Sequence, residues 1–409
     1  MSEDKKRILI ATFSRNANYG GALQEFALYA YLKNKHDTVC LDYVNPVIRA
    51  NSRVVRTAFF SAIGILVRSL FSRRTRKEKP KQQNKKPEKS NSLSFYIREG
   101  FNLLRVFFSD LRNLKTRRLQ IHAYRQFWDN HITYTQPYKE KDLFASPPDG
   151  FDIYMAGSDQ IWNPIKFGLS KVYFLCFAPS SVRKTSYAPS FANFHFSDDE
   201  HSRIIIKYLD DYSAISVREN HSQKELANAG ITATHVLDPT FLLTKKDWIN
   251  ALGLASTQQK PYLLAYAMSD HAKVYEYAIK AGEILSFDVY IIGSPNRRLR
   301  NATYFPHAGP LEFVELFANA SYVVTNSFHG TAFSVNFNIP FISLESNLPE
   351  RIISLLNLTG LNSRIGSFKD GSMGAKVSDM NLDFSFANQI LTQEQVRATE
   401  YLEKAINGE

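Results

Sequence analysis

Two successive series of short apolar strands alternating with helices predict an α/β protein. Each series is expected to form a Rossmann-like half, a parallel sheet covered on both faces. The polar stretch Ser256–Lys260 separates the two series, and 409 residues suffice for two halves with cores of their own. A third observation concerns the loops. The most polar ones follow directly on apolar strands, where parallel sheets hold their ligands.

The first half, taken as residues 1–250, opens with the strand Arg7–Phe13 (RILIATF) and the polar loop Ser14–Gly21. In the helix Ala22–Leu32 that follows, Leu23, Phe26, Ala27 and Ala30 share one side. Val39–Tyr43, Phe151–Ala156, Thr185–Ala188 and Ala214–Val217 read as further strands, spaced by helical stretches such as Asp198–Tyr208 and Gln223–Ala229. In the second half, residues 251–409, strands are expected at Tyr262–Ala267, Val289–Ile292, Tyr322–Thr325 and Phe341–Leu344. Helices lie between them at His271–Leu285, Pro310–Ala320 and His329–Asn338. The polar C-terminal helix Thr392–Ile406 suits either half. With two such halves, the natural ligand site is the cleft between them.

Composition excludes a wholly disordered chain: 44% of residues are hydrophobic, and 30 Phe and 21 Tyr are present. Two cysteines, Cys40 and Cys176, are too distant in sequence to suggest zinc or a disulfide framework. They read as small buried residues of a reducing compartment. The polar stretch Met1–Arg7 shows no signal-peptide pattern, and the longest uncharged apolar window, Thr57–Val67, is too short to span a bilayer. A cytoplasmic location is expected, with peripheral contact at the cytoplasmic face of the inner membrane left open.

The net charge of +11 is unevenly spread. Residues 49–125 hold 20 Lys and Arg against 4 Asp and Glu, whereas the remaining chain carries 30 against 35. A mildly acidic body with one basic segment suggests a local docking element. Within it, Arg56–Phe71 is apolar with basic ends and Arg73–Asn91 reads as a loop without apolar residues. From Leu93 to Trp128, Ile97, Phe101, Leu104, Phe108 and Leu111 form one helical stripe flanked by Arg98, Arg105 and Arg112. Two readings stand: an amphipathic helical insertion packed on the protein, or contact with an anionic membrane surface. No zinc module or aromatic-interleaved basic strand supports nucleic acid.

Four loops carry the residue types that chemistry needs. Asn16–Gly21 (NANYGG) ends at a helix start, where Asn18, Gly20 and Gly21 offer close backbone approach and amide donors to an anion or sugar hydroxyl. A structural turn is the alternative. Ala156–Asn163 (AGSDQIWN) projects Ser158, Asp159 and Gln160, with Trp162 behind; a carboxylate beside an amide and an indole can hold and deprotonate a sugar hydroxyl. Equally, Asp159 suits a helix cap. In Ala214–Asn220 (AISVREN), Arg218 can present a planar fork to a carboxylate or phosphate, or pair with Glu219. The strongest is Tyr322–Ser334 (YVVTNSFHGTAFS). There a strand delivers Asn326 and Ser327 to a turn, and His329, Gly330 and Thr331 open the next helix, where an anion would meet amide donors and an imidazole.

In the order NYGGALQ, GSDQIWN, SYAPSFA, SVREN, LDPTFLL and TNSFHGTAFS, these segments resemble the polysaccharide pyruvyl transferase family over nearly the whole chain apart from the basic insertion. The resemblance implies a GT-B-like fold of two Rossmann-like domains facing a central cleft. It implies transfer of the enolpyruvyl-derived group of phosphoenolpyruvate to sugar hydroxyls, giving a pyruvate ketal on a bacterial surface polysaccharide such as a capsule or exopolysaccharide. The family's donor-binding arginine falls on Arg218. Its Arg-Leu-His segment falls on Ser327, Phe328 and His329, so one cation is missing, with Arg297, Arg298 and Arg300 as candidate substitutes.

Under this reading Arg218, Asn326, Ser327, His329, Gly330 and Thr331 bind the donor, and His329 is donor ligand and general acid. Asp159 is the base at the acceptor, a lipid-linked or polymeric saccharide, beside Asn18, Gly20, Gly21, Ser158, Gln160 and Trp162. Trp162 and Tyr187 offer flat faces to a pyranose. The chemistry needs an acid, a base and anion stabilisation, with no redox cofactor and no obligatory metal. Two rivals remain: a GT-B glycosyltransferase using a nucleotide-sugar, with Glu345 or Glu350 on the ribose, and a non-catalytic, membrane-recruited assembly protein.

Overall fold

Each half builds its own parallel sheet in the computed structural model, which describes residues 5–43, 113–197, 199–254, 260–293, 299–344, 350–368 and 377–408. In the first half β1 (Arg7–Ala11) is followed by α1 (Tyr19–Lys33), β2 (Asp37–Cys40), α2 (Leu114–His131), β3 (Ile153–Ala156) and β4 (Arg183–Ser186). The chain then runs through α3 (Glu200–Leu209), β5 (Ser216–Val217), α4 (Asn220–Asn228) and β6 (Thr234–His235). Strand order is β2-β1-β3-β4, with β5 and β6 as a separate parallel pair. Ser186 and Ser216 join the pair to β4: each hydroxyl donates to the other residue's carbonyl at 2.9 Å.

The second half begins after α5 (Lys245–Leu252). It comprises β7 (Tyr262–Tyr266), α6 (His271–Leu285), β8 (Asp288–Ile292), β9 (Thr303–Phe305), α7 (Pro310–Ala318) and β10 (Tyr322–Thr325). Then come α8 (Phe328–Asn336), β11 (Phe341–Leu344), α9 (Glu350–Leu358), β12 (Ile365–Gly366) and the long α10 (Ser385–Asn407). Its sheet, in the order β12-β11-β10-β7-β8-β9, is parallel throughout. Two parallel α/β halves meeting face to face bear out the predicted GT-B-like class.

The halves share apolar packing rather than merely touching. Tyr19 at the start of α1 stacks on Phe313 of α7 at 4.6 Å between centroids and donates its hydroxyl to the Ala308 carbonyl at 2.7 Å. Trp248 sits between Phe26 of α1 and Phe333 of α8. The one-sided helix expected at Ala22–Leu32 is corrected. Gln24 and Glu25, on its supposed polar side, are fully buried, because that side packs on the first half's own loops: Gln24 donates to Thr12 Oγ1 at 3.4 Å, and Glu25 lies beside Ser14, Tyr134 and Asp42.

Other expectations shift for local reasons. The strand at Thr185–Ala188 stops at Ser186, since Ala188 takes φ 55° and turns the chain. Tyr43 contributes only an isolated bridge to Tyr138. β6, β9 and β12, of two or three residues each, were too short to read as apolar runs. The C-terminal helix α10 returns to the first half, where Tyr401 donates to the Ser186 carbonyl and Lys35 pairs with Glu403.

Of the basic segment 49–125, only residues 113–125 are described. They begin α2, which buries Ile121, Tyr124, Phe127 and Trp128 while Lys115, Arg118 and Arg125 stay exposed. Arg56–Phe71, Arg73–Asn91 and the stripe with Arg98, Arg105 and Arg112 lie outside the described residues.

Candidate functional site

β5, β6 and β10 deliver Arg218, Asp238 and His329 from their carboxyl ends to one place. Arg218 follows β5 directly, its side chain only 3% exposed. Its Nη1 donates to Asp238 Oδ2 at 2.9 Å, and its Nε reaches Glu219 Oε1 at 3.3 Å. Asp238 lies just past β6, fully buried; its Oδ1 accepts from the Thr240 amide and hydroxyl at 3.0 and 2.8 Å. His329, in the first turn of α8, places Nε2 at 3.8 Å from the same Oδ2. One carboxylate thus joins the arginine of the first half to the imidazole of the second.

Electrostatics follow from that burial. Desolvation opposes the Arg218 charge, but Glu219, Asp238 and Asp159 outweigh it and hold the guanidinium protonated. Desolvation raises the Asp238 carboxyl, yet His329, Arg218 and the Thr240 hydrogen bonds together bring it below its usual range. For His329 burial dominates, against the pull of Asp238, and the imidazole is neutral at neutral pH. Arg218 is then the permanent countercharge bonded to Asp238. Two nitrogens here lack hydrogen-bond partners, Arg218 Nη2 and His329 Nε2. Buried donors left this way are where a ligand or water belongs.

The opening of α1 and the Asp159 loop complete the enclosure. Asn18 caps α1, its Oδ1 accepting from the Gly21 amide at 3.1 Å. A Cβ on Gly20 would fall 2.2 Å from the His329 ring, so only glycine lets the imidazole lie here. One on Gly21 would lie 3.5 Å from Asp159 Oδ2, which places that carboxylate at the same helix opening. Asp159 caps no helix: its Oδ1 accepts from the adjacent Gln160 amide, and its backbone takes φ 75°. That left-handed geometry, costly for a side chain, is secured by the Ser190 amide donating to the Asp159 carbonyl at 2.9 Å.

Several predicted contacts have other employment. Trp162 is fully buried, stacked on Phe174 at 5.3 Å and donating to the Tyr173 carbonyl, so it is a core residue and not a sugar platform. Tyr187 is buried likewise. Ser158 donates to the Ala188 carbonyl at 2.8 Å and is inaccessible to an acceptor. Asn326 ties two strand ends together through the Met268 amide and the Ser269 carbonyl. Ser327 is the N-cap of α8, accepting from the Gly330 amide, and Thr331 Oγ1 lies 2.6 Å from Ser343 Oγ. Among the described residues the Ser327, Gly330 and Thr331 amides at this opening have acceptors, and the Phe328 and His329 amides have none, as befits a helix start.

A cavity of about 760 Å³ adjoins the cluster, lined among others by Gln160, Arg218, Glu219, Asp238, Phe328 and Arg351. Sequence reasoning missed three of these. Asp238 lay unremarked in LDPTFLL, Glu219 was weighed only as a partner for Arg218, and Arg351, in the first turn of α9, carried no signal. Arg297, Arg298 and Glu345 lie outside the described residues, as does the side chain of Glu350, while Arg300 is exposed and not part of the cavity wall. Among the described residues one group has ligand atoms close enough to share a metal ion. His195, His221 and Glu225 place them within 4.8 Å of one another, and the Phe196 amide donates to the second Glu225 oxygen.

Two α/β halves that turn their strand ends toward one buried Arg–Asp–His cluster and the cavity beside it define a GT-B-like protein of two Rossmann-like halves, with the cavity where such folds hold ligands. The model of the polysaccharide pyruvyl transferase family matches residues 18–347, and the chain belongs to that family. No curated protein matches it. Among solved structures it is similar to a UDP-GlcNAc 2-epimerase from Methanocaldococcus jannaschii, with 13% identity, a TM-score of 0.48, and 97% of this chain and 100% of that chain covered. A UDP-GlcNAc 2-epimerase from Neisseria meningitidis bound to UDP-GlcNAc gives 11%, 0.46, 98% and 100%. A UDP-glucosyltransferase from Polygonum tinctorium gives 10%, 0.39, 100% and 99%. No described helix is long and apolar enough to cross a membrane.

Proposed function

We propose that the chain transfers the enolpyruvyl-derived group of phosphoenolpyruvate to two hydroxyls of a saccharide, forming a cyclic ketal on a bacterial surface polysaccharide. The observation that carries this reading is the meeting of Arg218 and His329 at Asp238, with an unpartnered nitrogen on each side chain. A compact molecule bearing a carboxylate and a phosphate matches a planar guanidinium fork beside an imidazole and a helix opening.

The residues would act as follows. Arg218 holds one anionic group of the donor, kept in place by Asp238. Arrival of a multiply charged anion favours the imidazolium, so His329 takes up a proton that burial denies it in the free protein. His329 then protonates the methylene carbon of the donor. A saccharide hydroxyl attacks the cationic carbon, and Asp159 accepts the hydroxyl proton. The carbon–oxygen bond to phosphate breaks, phosphate leaves with that electron pair, and a second hydroxyl closes the ring, giving its proton to the now neutral His329. Arg218 and the α8 amides stabilise the charge gathering on phosphate.

Titration of the purified protein with phosphoenolpyruvate and, separately, with UDP-sugars tests the donor. Phosphoenolpyruvate is expected to raise the melting temperature and UDP-sugars are not. The reverse result would establish the nucleotide-sugar reading instead. The basic segment 49–125 is proposed to bring the site to a lipid-linked acceptor. Vesicles of anionic lipid should bind the protein in a salt-sensitive manner, and a chain lacking residues 73–91 should bind less.

A further inference from the structure

We propose that Arg351 is the second cationic anchor of the donor site, replacing from α9 the arginine that position 327 lacks. This rests on the reading of the donor as a small anion with a carboxylate and a phosphate.

The serine at position 327 spends its hydroxyl on capping α8, so the helix opening brings no cation of its own. Arg351 stands one strand further along the sheet, in the first turn of the helix that follows β11. Its Cζ lies 5.0 Å over the Phe328 ring, and Phe328 is the residue between Ser327 and His329. The two arginines line the same cavity. Phe328 thus holds the guanidinium of Arg351 over its ring on the wall of the cavity that Arg218 also lines.

The pairing of the side chains points the same way. Among the described residues Arg351 forms no hydrogen bond and no ion pair, the Phe328 ring being its one close partner. The carboxylates nearest the centre, Asp238 and Glu219, are already bonded to Arg218. Burial and the repulsion of Arg218 both weaken the hold of Arg351 on its proton, which shows how closely the two cations share one environment. Glu219 and Asp238 each spend an oxygen on Arg218, so the Arg351 fork faces the shared cavity without a carboxylate bonded to it. Two arginine forks on one cavity wall, one of them unbonded, suit a ligand with two separate anionic groups better than one. Arg351 also lies beyond residue 347, where the match to the family ends, so the matched motifs do not assign it.

The experiment compares the wild-type chain with Arg351→Met and Arg351→Lys by calorimetric titration against phosphoenolpyruvate and against inorganic phosphate. Met keeps the apolar stem over Phe328, and Lys keeps the charge without the fork. Arg351→Met is expected to weaken phosphoenolpyruvate binding about 10- to 100-fold and Arg351→Lys by roughly 10-fold. Arg300→Ala, outside the cavity, should leave it unchanged. If both Arg351 variants, folded by circular dichroism, bind phosphoenolpyruvate as the wild type does while Arg218→Lys does not, the anchor is wrong and the donor reading survives. If the wild type ignores phosphoenolpyruvate but Arg351→Met weakens phosphate binding, the donor reading falls and the anchor stands. Should Met prevent folding, the Lys variant decides alone, and wild-type affinity there overturns the proposal.

Discussion

Gly20 and His329 belong to opposite halves, yet the imidazole rests where a Cβ of residue 20 would be, 2.2 Å from the ring atoms. Gly20→Ala is therefore expected to push the imidazole away from Asp238 with little harm to α1, since alanine suits a helix better than glycine. Displacement of this order costs about 100-fold in turnover. Steady-state rates beside a melting curve would check it; full activity in a folded variant would show that the imidazole position is not critical.

Asp238 neutralises Arg218 in a buried setting. Asp238→Ala leaves that guanidinium without its 2.9 Å partner, and loss of one member of such a pair costs about 3–5 kcal/mol. Chemical denaturation should show it. A change under about 1 kcal/mol would mean that water already compensates the arginine.

His329 gives a pH signature with a definite sign. Burial lowers its pKa from 6.5 to about 4, so between those values the unfolded chain binds more protons than the folded one. Its contribution to stability is full above about 6.5 and is lost as pH falls toward about 4. His329→Gln should show a shallower acid loss than the wild type across that window. At neutral pH, phosphoenolpyruvate binding should take up a proton in the wild type. Calorimetry in buffers of different ionisation enthalpy measures this, and a buffer-independent heat would contradict it.

Glu25 predicts the opposite slope. Its carboxyl oxygens find no hydrogen-bond partner within α1, and burial pushes its pKa up from 4.5 to about 8. The folded chain then holds a proton that the unfolded chain has lost, so stability falls as pH rises from about 4.5 to 8. Glu25→Gln removes this loss. At pH 8 it is expected to be more stable than the wild type by a few kcal/mol, with a smaller gap at pH 5. Equal unfolding free energies at pH 8 would rule the account out.

The alternation of strand and helix was legible because apolar periodicity survives wherever a sheet is covered on both faces; Tyr322–Thr325 and Phe341–Leu344 lie where it placed them. Arg218 and His329 were legible for a related reason, each standing just past such a strand. Asp238 was not. Beside Pro239 it reads as a turn residue, and its role exists only because β6 carries it back to an arginine 20 positions earlier. Arg351 was hidden in the same way, since its neighbour Phe328 comes from another helix. Trp162 misled because an indole near a polar loop is compatible with either a platform or a core, and only Phe174 on its face decides between them.

The return of α10 to the first half has a practical consequence. Arg183 donates to the Ile406 carbonyl, Tyr31 meets Thr399 and Tyr401 reaches Ser186, so the last twenty-odd residues finish a sheet begun at residue 7. The polypeptide is two-lobed in outline but closed like a clasp. A fragment cut at the junction near residue 250 would bare the tyrosines that α10 covers, and is expected to fold less stably than the whole. Heat or denaturant should accordingly take the described body apart in a single step.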